Sequence, residues 1–244
     1  MPENEIILGD AYSLIKTLPD KSVDLIVTDP PYDIKGIHGS GIMKDRGGTF
    51  AQEISQASLD KGIDLSILDE FRRVMKKINI YIWCNKEQIK PYMDWFEANV
   101  SGCNFEILIW AKENPIPFCG VHYLVDKEYC LYFWEPGAYV DIPFERAGTF
   151  FLSKTNVRDK KLYDHPTIKP QSIIETLIEN SSAPGAVVLD PFIGSGTTAA
   201  AAKRLGRKYI GFEMNPKFHK IAIDRLNGVT QKELRSGYKQ EKLF

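Results

Sequence analysis

A glycine-containing turn stands at residues 189–198, with the sequence Leu189-Asp-Pro-Phe-Ile-Gly-Ser-Gly-Thr-Thr198. It follows an apolar predicted strand and opens an alanine-rich predicted helix. Short apolar runs alternate with helical patterns along most of the 244 residues, and most runs are apolar on both faces. This pattern is typical of a parallel sheet covered by helices on each side. We therefore predict an α/β fold. The predicted strands are Glu5–Leu8, Val23–Thr28, Ile78–Trp83, Phe105–Trp110, Tyr129–Trp134, Val187–Leu189 and Tyr209–Phe212, and the predicted helices are Ser66–Lys77, Gln171–Asn180 and Thr197–Leu205.

The glycines of this turn follow a nucleotide-binding pattern. Gly194, Gly196 and Ala199 satisfy G-x-G-x-x-G/A, and Glu213 follows 19 residues after Gly194, at the end of the next predicted strand. Such glycines let the backbone approach a nucleotide, and an acid at that distance accepts hydrogen bonds from ribose hydroxyls. A P-loop is excluded because no Gly-Lys-Ser/Thr follows. A turn whose glycines serve only packing stays an alternative.

The acid at the end of the strand helps to choose the ligand. Asp190 directly precedes the turn, where a carboxylate would repel a pyrophosphate and attract a cationic group. S-adenosylmethionine carries both a sulfonium and an ammonium group. Asp190 therefore favours S-adenosylmethionine over a nicotinamide dinucleotide, although a dehydrogenase would also explain the glycines and Glu213.

Composition limits the remaining classes of function. Hydrophobic residues make up 43% of the chain and charged residues 26%, which is typical of a globular protein and not of a disordered one. The net charge of −1 provides no overall field that attracts polyanions, so any nucleic acid must bind to a local basic patch. We find no signal peptide or membrane-spanning run, and we expect a cytoplasmic protein whose four cysteines are reduced.

A second motif, Asp29-Pro-Pro-Tyr32, follows the predicted strand Val23–Thr28. A carboxylate and a proline carbonyl at a strand end make two neighbouring acceptors, which suit the two N–H bonds of an exocyclic amino group. Proline stiffens the turn and contributes no N–H of its own. Tyr32 has a flat face on which an extruded base can stack. The alternative is a Pro-Pro turn in which the acid has no role.

Together the two motifs resemble those of the DNA amino-methyltransferases, which methylate adenine N6 or cytosine N4. The order, with the catalytic motif first and the glycine loop last, resembles the β class. The resemblance implies a Rossmann-like, S-adenosylmethionine-dependent fold with a circularly permuted motif order, a mostly parallel seven-stranded sheet, and one methyltransferase domain over residues 1–244. Further elements similar to the family's are Gly9-Asp10, Trp110-Ala-Lys-Glu-Asn-Pro115, His165-Pro-Thr-Ile-Lys-Pro170 and Gly211-Phe-Glu213.

The resemblance also implies a role for each matching residue. Asp29 and the Pro30 carbonyl would hold the target amino group, and Tyr32, with Pro31 beside it, would stack on the flipped base. Asp10 would bind the cofactor's adenine and Glu213 its ribose, while Asp190 and the glycine loop would bind its methionine part. No metal is expected. The full predicted cofactor set is Asp10, Ala11, Asp29, Lys169, Asp190, Phe192, Gly194, Ser195, Gly196, Thr197, Glu213 and Met214.

The choice of base and substrate class depends on single positions. The family's cytosine enzymes more often begin the catalytic motif with Ser, so Asp29 favours adenine, with cytosine N4 as the alternative. Relatives that act on RNA or protein usually carry Asn there and place the glycine loop first. A DNA-binding module without catalysis would leave the cofactor motif unexplained.

DNA is the predicted partner, held by two irregular segments. Residues 33–57 form a predicted mobile glycine-rich loop, and residues 114–165 a predicted target-recognition insertion. Between Arg146 and Lys169 the local charge is +4, although a solvated surface would show the same count. A cognate restriction endonuclease and a homodimer stay open. The predicted DNA-binding residues are Lys35, Lys44, Arg46, Arg146, Lys154, Arg158, Lys160 and Lys161.

Overall fold

The computed structural model describes residues 3–32, 62–115, 123–155, 157–163 and 167–229. Eight strands within these ranges form one sheet in the order β1-β8-β7-β2-β3-β5-β4-β6. All neighbouring pairs are parallel except the two that involve β5. The strands are β1 Glu5–Leu8, β2 Leu25–Thr28, β3 Asn79–Cys84, β4 Asn104–Lys112, β5 Lys127–Trp134, β6 Phe150–Ser153, β7 Val187–Asp190 and β8 Lys208–Glu213.

The α/β prediction is confirmed, and each of the seven predicted strands is present with ends shifted by no more than two residues. The count of seven is wrong because β6 was missed. β6 has only four residues and pairs with β4 alone, at the edge of the sheet. Its positions alternate between exposed and half-buried, so it lacks the continuous apolar run that marks the central strands.

Helices cover both faces of the sheet. The three predicted helices are present, and the first is shorter than expected because the chain leaves the helix at Met75, which pairs with Val23 beside the sheet. Two buried apolar clusters form the core, one on each face. The helices are α1 Ala11–Leu14, α2 Ile67–Val74, α3 Ile89–Asn99, α4 Val157–Tyr163, α5 Gln171–Ser181, α6 Thr197–Arg204 and α7 Pro216–Leu226.

The parallel strand order brings the predicted motifs together at the carboxyl ends of the strands. β1, β8, β7 and β2 are consecutive neighbours that run in the same direction, so their carboxyl ends lie side by side. Asp190 and Glu213 end β7 and β8, Asp29 follows β2, and Asp10 follows β1 by two residues. Ligands of open α/β sheets bind at this edge. Among the described helices, none is long and apolar enough to cross a membrane.

Candidate active site

A cavity of about 320 Å³ opens at the carboxyl ends of these strands. Eleven of the twelve residues predicted to bind the cofactor line it, together with Pro31 of the second motif. Residues far apart in sequence therefore meet in one place. The eleven residues are Asp10, Ala11, Asp29, Lys169, Asp190, Phe192, Gly194, Ser195, Thr197, Glu213 and Met214.

The twelfth residue, Gly196, has a structural role in this turn. Its φ of +78° lies in the left-handed region, which favours glycine. A Cβ at this position would also approach Ala222 of α7 to 3.0 Å. Gly196 therefore lets α6 begin in close contact with α7, which is the packing alternative that the sequence left open for this glycine.

The amides of the glycine turn are used within the protein. Phe192 N donates to Asp190 Oδ1 at 3.1 Å, Gly194 N to Glu213 Oε2 at 3.0 Å, and Gly196 N to the Ile193 carbonyl at 2.9 Å. Anion-binding turns direct such amides at phosphate oxygens. Because these three donors are already paired, they are not available to a pyrophosphate, which counts against the dinucleotide alternative.

Two buried carboxyl groups give the cavity its chemical character. Burial raises the pKa of Asp190 to about 7, although hydrogen bonds, including one from the Thr28 hydroxyl at 2.9 Å, oppose the shift. Burial also raises the pKa of Glu213, whose Oε1 accepts from the amide of Asn215 at 2.8 Å. A bound cation would offset the cost of ionising either group. The acid set therefore fits a positively charged ligand.

Asp10, which follows β1, contributes to the lining of the cavity. Its Oδ2 accepts from the backbone and side chain of Ser13, both at 2.9 Å, so that Asp10 caps the start of α1. The cap holds the carboxylate at the cavity beside Ala11. The same residue therefore stabilises a short helix and presents an acceptor to the cavity.

The second motif adjoins this cavity. The Tyr32 hydroxyl donates a hydrogen bond of 2.9 Å to Asp29 Oδ1. The ammonium group of Lys169 lies 2.5 Å from Asp29 Oδ2. Lys169 is buried and also lies over the rings of Tyr32 and Trp83, at 5.3 and 5.2 Å from the ring centres. Burial raises the pKa of Asp29, and the charge of Lys169 opposes the shift. The charge of Lys169 therefore favours the ionised form of this buried carboxyl.

Glu128 belongs to the site and was missed by the sequence interpretation. Its Oε2 lies 3.0 Å from Lys169 Nζ and 3.4 Å from the Tyr32 hydroxyl, and its Oε1 lies 2.6 Å from Lys112 Nζ. The two ammonium groups lower the pKa of Glu128 to about 2 despite burial. Glu128 lies one residue before the predicted strand Tyr129–Trp134, next to Lys127, so the sequence pattern did not mark it as a buried acid.

The Trp110–Pro115 segment has a mainly structural role. The indole of Trp110 donates to Ser153 at 2.9 Å, and Asn114 accepts from the amide of Thr155 at 2.7 Å. These contacts attach β4 to β6 and to the residues after it. Lys112 differs, because its ammonium group reaches Glu128 beside the catalytic motif.

The predicted basic surface is divided by the fold. Arg146 donates to Asn180, in the last turn of α5, at 2.8 Å. The next residue of α5, Ser181, accepts from Asn79 at the start of β3, so Arg146 lies near the amino ends of the strands. Thr28 is in register with Ile82, so Asp29 lies about four residue steps along β3 from Asn79, or about 13 Å. Arg146, which the sequence analysis placed among the DNA-binding residues, therefore lies at the opposite ends of the strands from Asp29.

Two other predicted lysines lie on the same side as the cavity. Lys154 directly follows β6, whose carboxyl end pairs with that of β4, and is exposed. Lys160 on α4 is partly buried close to Glu128, Lys112 and Lys169, and its burial lowers its pKa. Lys35, Lys44, Arg46 and His165, and the side chains of Arg158 and Lys161, lie outside the described part of the molecule.

The sequence is similar to one protein family and to several known proteins. The model of the N6/N4 methyltransferases, described as DNA methylases, matches residues 23–224. The chain is 30% identical to the type II methyltransferase M.HinfI of Haemophilus influenzae, over 93% of this chain and 69% of that protein. It is also 30% identical to the type II methyltransferase M2.LlaDCHI of Lactococcus lactis subsp. cremoris, over 92% of this chain and 90% of that protein.

Solved structures share the fold. The M1.HpyAVI–SAM complex aligns with a TM-score of 0.67 at 25% identity, covering 91% of this chain and 98% of that one. The cytosine-N4-specific PvuII DNA methyltransferase aligns with a TM-score of 0.69 at 17% identity, covering 98% of this chain and 93% of that one. The second likeness concerns the fold alone.

Proposed function

The chain belongs to the N6/N4 DNA methylase family, and from that premise we propose that it transfers a methyl group from S-adenosylmethionine to the N6 amino group of adenine in DNA. The observation that carries the proposal is the position of Asp29. Asp29 follows β2 on the wall of the acidic cavity, with one carboxylate oxygen at Lys169 and the other at Tyr32. An acceptor for an amino group therefore adjoins a cavity suited to a cationic cofactor.

The described residues fit S-adenosylmethionine. Asp190 and Glu213 are buried acids, and the paired amides of the glycine turn disfavour a pyrophosphate. Asp190 would bind the positively charged methionine part, Glu213 the ribose hydroxyls, and Asp10 the adenine. When bound, this cofactor supplies an electrophilic methyl group on a sulfonium.

The protein's own part in catalysis is to activate a weak nucleophile. The lone pair of an adenine amino nitrogen is delocalised into the ring. Hydrogen bonds from the amino group to Asp29 and the Pro30 carbonyl favour a tetrahedral nitrogen and bring the lone pair out of the ring plane. The carboxylate also stabilises the positive charge that develops on nitrogen. Holding the amino group in place supplies a further share of the rate.

The target base must leave the helix. Its amino group is engaged in a base pair, so an enzyme that acts on it in duplex DNA extrudes the nucleotide into the site. Tyr32 stands beside Asp29 and offers a surface for stacking, which contributes about 1–3 kcal/mol per base. Residues 114–165 supply the sequence recognition in this proposal, and Lys154 and Lys160 contact phosphates.

Adenine is favoured over cytosine by the acid at position 29. The family's cytosine enzymes more often have Ser at this position, and Asp offers the stronger acceptor for an amino group. The likeness to the PvuII enzyme does not favour cytosine, because 17% identity carries only the fold. Cytosine N4 remains the second candidate, with the same mechanism.

One experiment tests both the reaction and the base. The purified chain is incubated with isotopically labelled S-adenosylmethionine and unmethylated DNA. The nucleosides of this DNA are then identified by mass spectrometry. We expect label in N6-methyldeoxyadenosine, whereas label in N4-methyldeoxycytidine would replace the first candidate by the second. Absence of label from both bases, with wild-type protein that binds the cofactor, would overturn the proposal. Long-read sequencing of DNA from a methylation-free host then reports the recognition site.

The relatives' description as type II methyltransferases suggests a biological setting. In this setting the methyl groups would protect specific sites against a cognate endonuclease. DNA methylated by the chain should then resist one restriction activity that cuts the unmethylated site. A panel of endonucleases with known sites, chosen after the sequencing result, provides the measurement.

A further inference from the structure

Two carboxylates at the catalytic edge share the same two hydrogen-bond donors. The Tyr32 hydroxyl lies 2.9 Å from Asp29 Oδ1 and 3.4 Å from Glu128 Oε2. The ammonium group of Lys169 lies 2.5 Å from Asp29 Oδ2 and 3.0 Å from Glu128 Oε2. Glu128 is therefore placed to accept from either donor that Asp29 releases.

Glu128 is itself held firmly in place. Its second oxygen, Oε1, lies 2.6 Å from the ammonium group of Lys112, which in turn lies over the ring of Trp110 at 5.3 Å from its centre. β5 carries Glu128 at the register position opposite Trp110 of β4. The anchoring oxygen and the receiving oxygen are thus separate, so Glu128 can accept from Tyr32 and Lys169 without leaving Lys112.

The arrangement answers a difficulty in the proposed reaction. Both oxygens of Asp29 already have a donor, and the substrate amino group brings at least one more. The phenol of Tyr32 has only one proton to donate. Burial and the two carboxylates hold the pKa of Tyr32 well above its ordinary value, so this proton stays on the phenol oxygen. Each carboxylate oxygen can accept two hydrogen bonds, so the Tyr32 hydroxyl and the amino group compete for Asp29 Oδ1, and turning the hydroxyl to Glu128 removes that competition.

We propose that Glu128 is a positioning residue that takes over the Tyr32 hydroxyl and holds back the Lys169 ammonium, so that Asp29 Oδ1 becomes free for the substrate amino group. The inference rests on the proposed function and adds a residue to it. No covalent bond changes in this step, because the hydroxyl only rotates from one carboxylate to the other. Glu128 acts through Tyr32, Lys169 and Asp29 and does not touch the reacting nitrogen.

The surroundings fix the sign of its electrostatic effect. The charged groups that face Asp29 are Lys169, Glu128 and Asp190, and the neutral titratable groups are Tyr32, Cys84, Tyr92 and Cys130. Lys112, Lys160 and Lys169 face Glu128. The negative charge of Glu128 raises the pKa of Asp29, whereas Lys169 lowers it. Removal of the Glu128 charge therefore lowers the pKa of Asp29.

The test uses Glu128→Gln and the single-turnover rate of methyl transfer at saturating cofactor. We expect the rate to fall about 10- to 100-fold, while the cofactor dissociation constant changes less than about threefold. The acid limb of the rate, which follows ionisation of Asp29, should move to lower pH. Glu106→Gln, an exposed glutamate on the neighbouring strand β4, is the matched control and should keep both rate and profile.

A double-mutant cycle separates positioning from simple structural support. In a Tyr32→Phe background the hydroxyl that donates to Glu128 is absent. Glu128→Gln should therefore reduce the rate by a several-fold smaller factor than in the wild-type background. Equal costs in both backgrounds, together with an unchanged acid limb, would overturn the inference. If the Gln variant does not fold, Glu128→Asp replaces it in the same cycle. A wild-type chain without methyl transfer would instead overturn the proposed function.

Discussion

The hydroxyl of Thr28 donates a hydrogen bond of 2.9 Å to Oδ1 of Asp190. This contact joins the ends of two neighbouring parallel strands, β2 and β7. Thr28 directly precedes Asp29, the proposed catalytic residue, and Asp190 directly precedes the glycine turn. The amino-group acceptor and the cofactor cavity are therefore held at a fixed separation by side chains within the sheet, and not by a flexible loop.

The first prediction concerns the pH dependence of cofactor binding. Burial raises the pKa of Asp190 to about 7, and only the ionised form attracts a cationic ligand. Affinity for S-adenosylmethionine should therefore rise as the pH increases from 6 to 8, and Asp190→Asn should lose this dependence and about tenfold or more in affinity at pH 8. Calorimetric titration at several pH values measures both effects. Thr28→Val, which removes a bond that lowers this pKa, should move the midpoint upward.

Asp190 also predicts a trade-off between stability and function. A carboxyl whose pKa is raised in the folded state stabilises that state below its unfolded pKa, and this contribution is lost as pH rises through about 7. At pH 8 without cofactor, Asp190→Asn should therefore have a higher unfolding temperature than the wild type. Below about pH 4 the advantage should largely disappear, because Asp190 is then mostly protonated in both states. A variant less stable than the wild type at pH 8 would contradict the assignment.

Asp29→Ala is expected to abolish methyl transfer while cofactor affinity stays within about threefold of the wild-type value. The reason is that Asp29 acts on the base, whereas Lys169 retains Glu128 as a partner after the substitution. Asp29→Asn, which mixes donor and acceptor, should also lose most activity. Retention of more than about a tenth of the wild-type rate, equivalent to a barrier change below about 1.4 kcal/mol, would contradict the mechanism.

Glu213→Ala should weaken cofactor binding more than it changes the rate of methyl transfer at saturating cofactor. An acid that binds ribose contributes similarly to the ground state and the transition state. Glu213 also accepts from the amides of Gly194 and Asn215, so Glu213→Gln, which retains one acceptor oxygen, is the milder control. We expect the Ala variant to lose more affinity than Gln. An unchanged dissociation constant for both variants would remove Glu213 from the cofactor site.

The divided basic surface predicts different effects for three cations. Lys154→Ala and Lys160→Ala should each weaken binding on every DNA sequence and reduce the slope of log affinity against log salt by about one. Arg146→Ala should leave this slope unchanged and lower the unfolding temperature, because Arg146 is bonded to Asn180 at the other edge of the sheet. A slope lowered by Arg146→Ala and unaffected by the two lysine variants would reverse the assignment.

Local patterns in the sequence predicted seven of the eight described strands and identified the two motifs. Continuous apolar runs predicted β2, β3 and β7 because a strand buried on both faces needs apolar residues at every position. Asp29, Asp190 and Glu213 were identified because each follows or ends such a strand, where a polar group meets a ligand. These signals depend on neighbours in sequence, so one chain is enough to read them.

Tertiary structure decided which groups meet across the sheet. Glu128 was missed because its partners, Lys112, Lys169 and Tyr32, come from three other segments, and no spacing along the chain encodes their contact. Arg146 was assigned to the DNA-binding residues for the same reason. A local count of charge does not show whether a residue lies at the amino ends or the carboxyl ends of the strands. The direction of each strand decides which end of the strands a residue lies at. That direction is fixed only when the strands pair in the sheet.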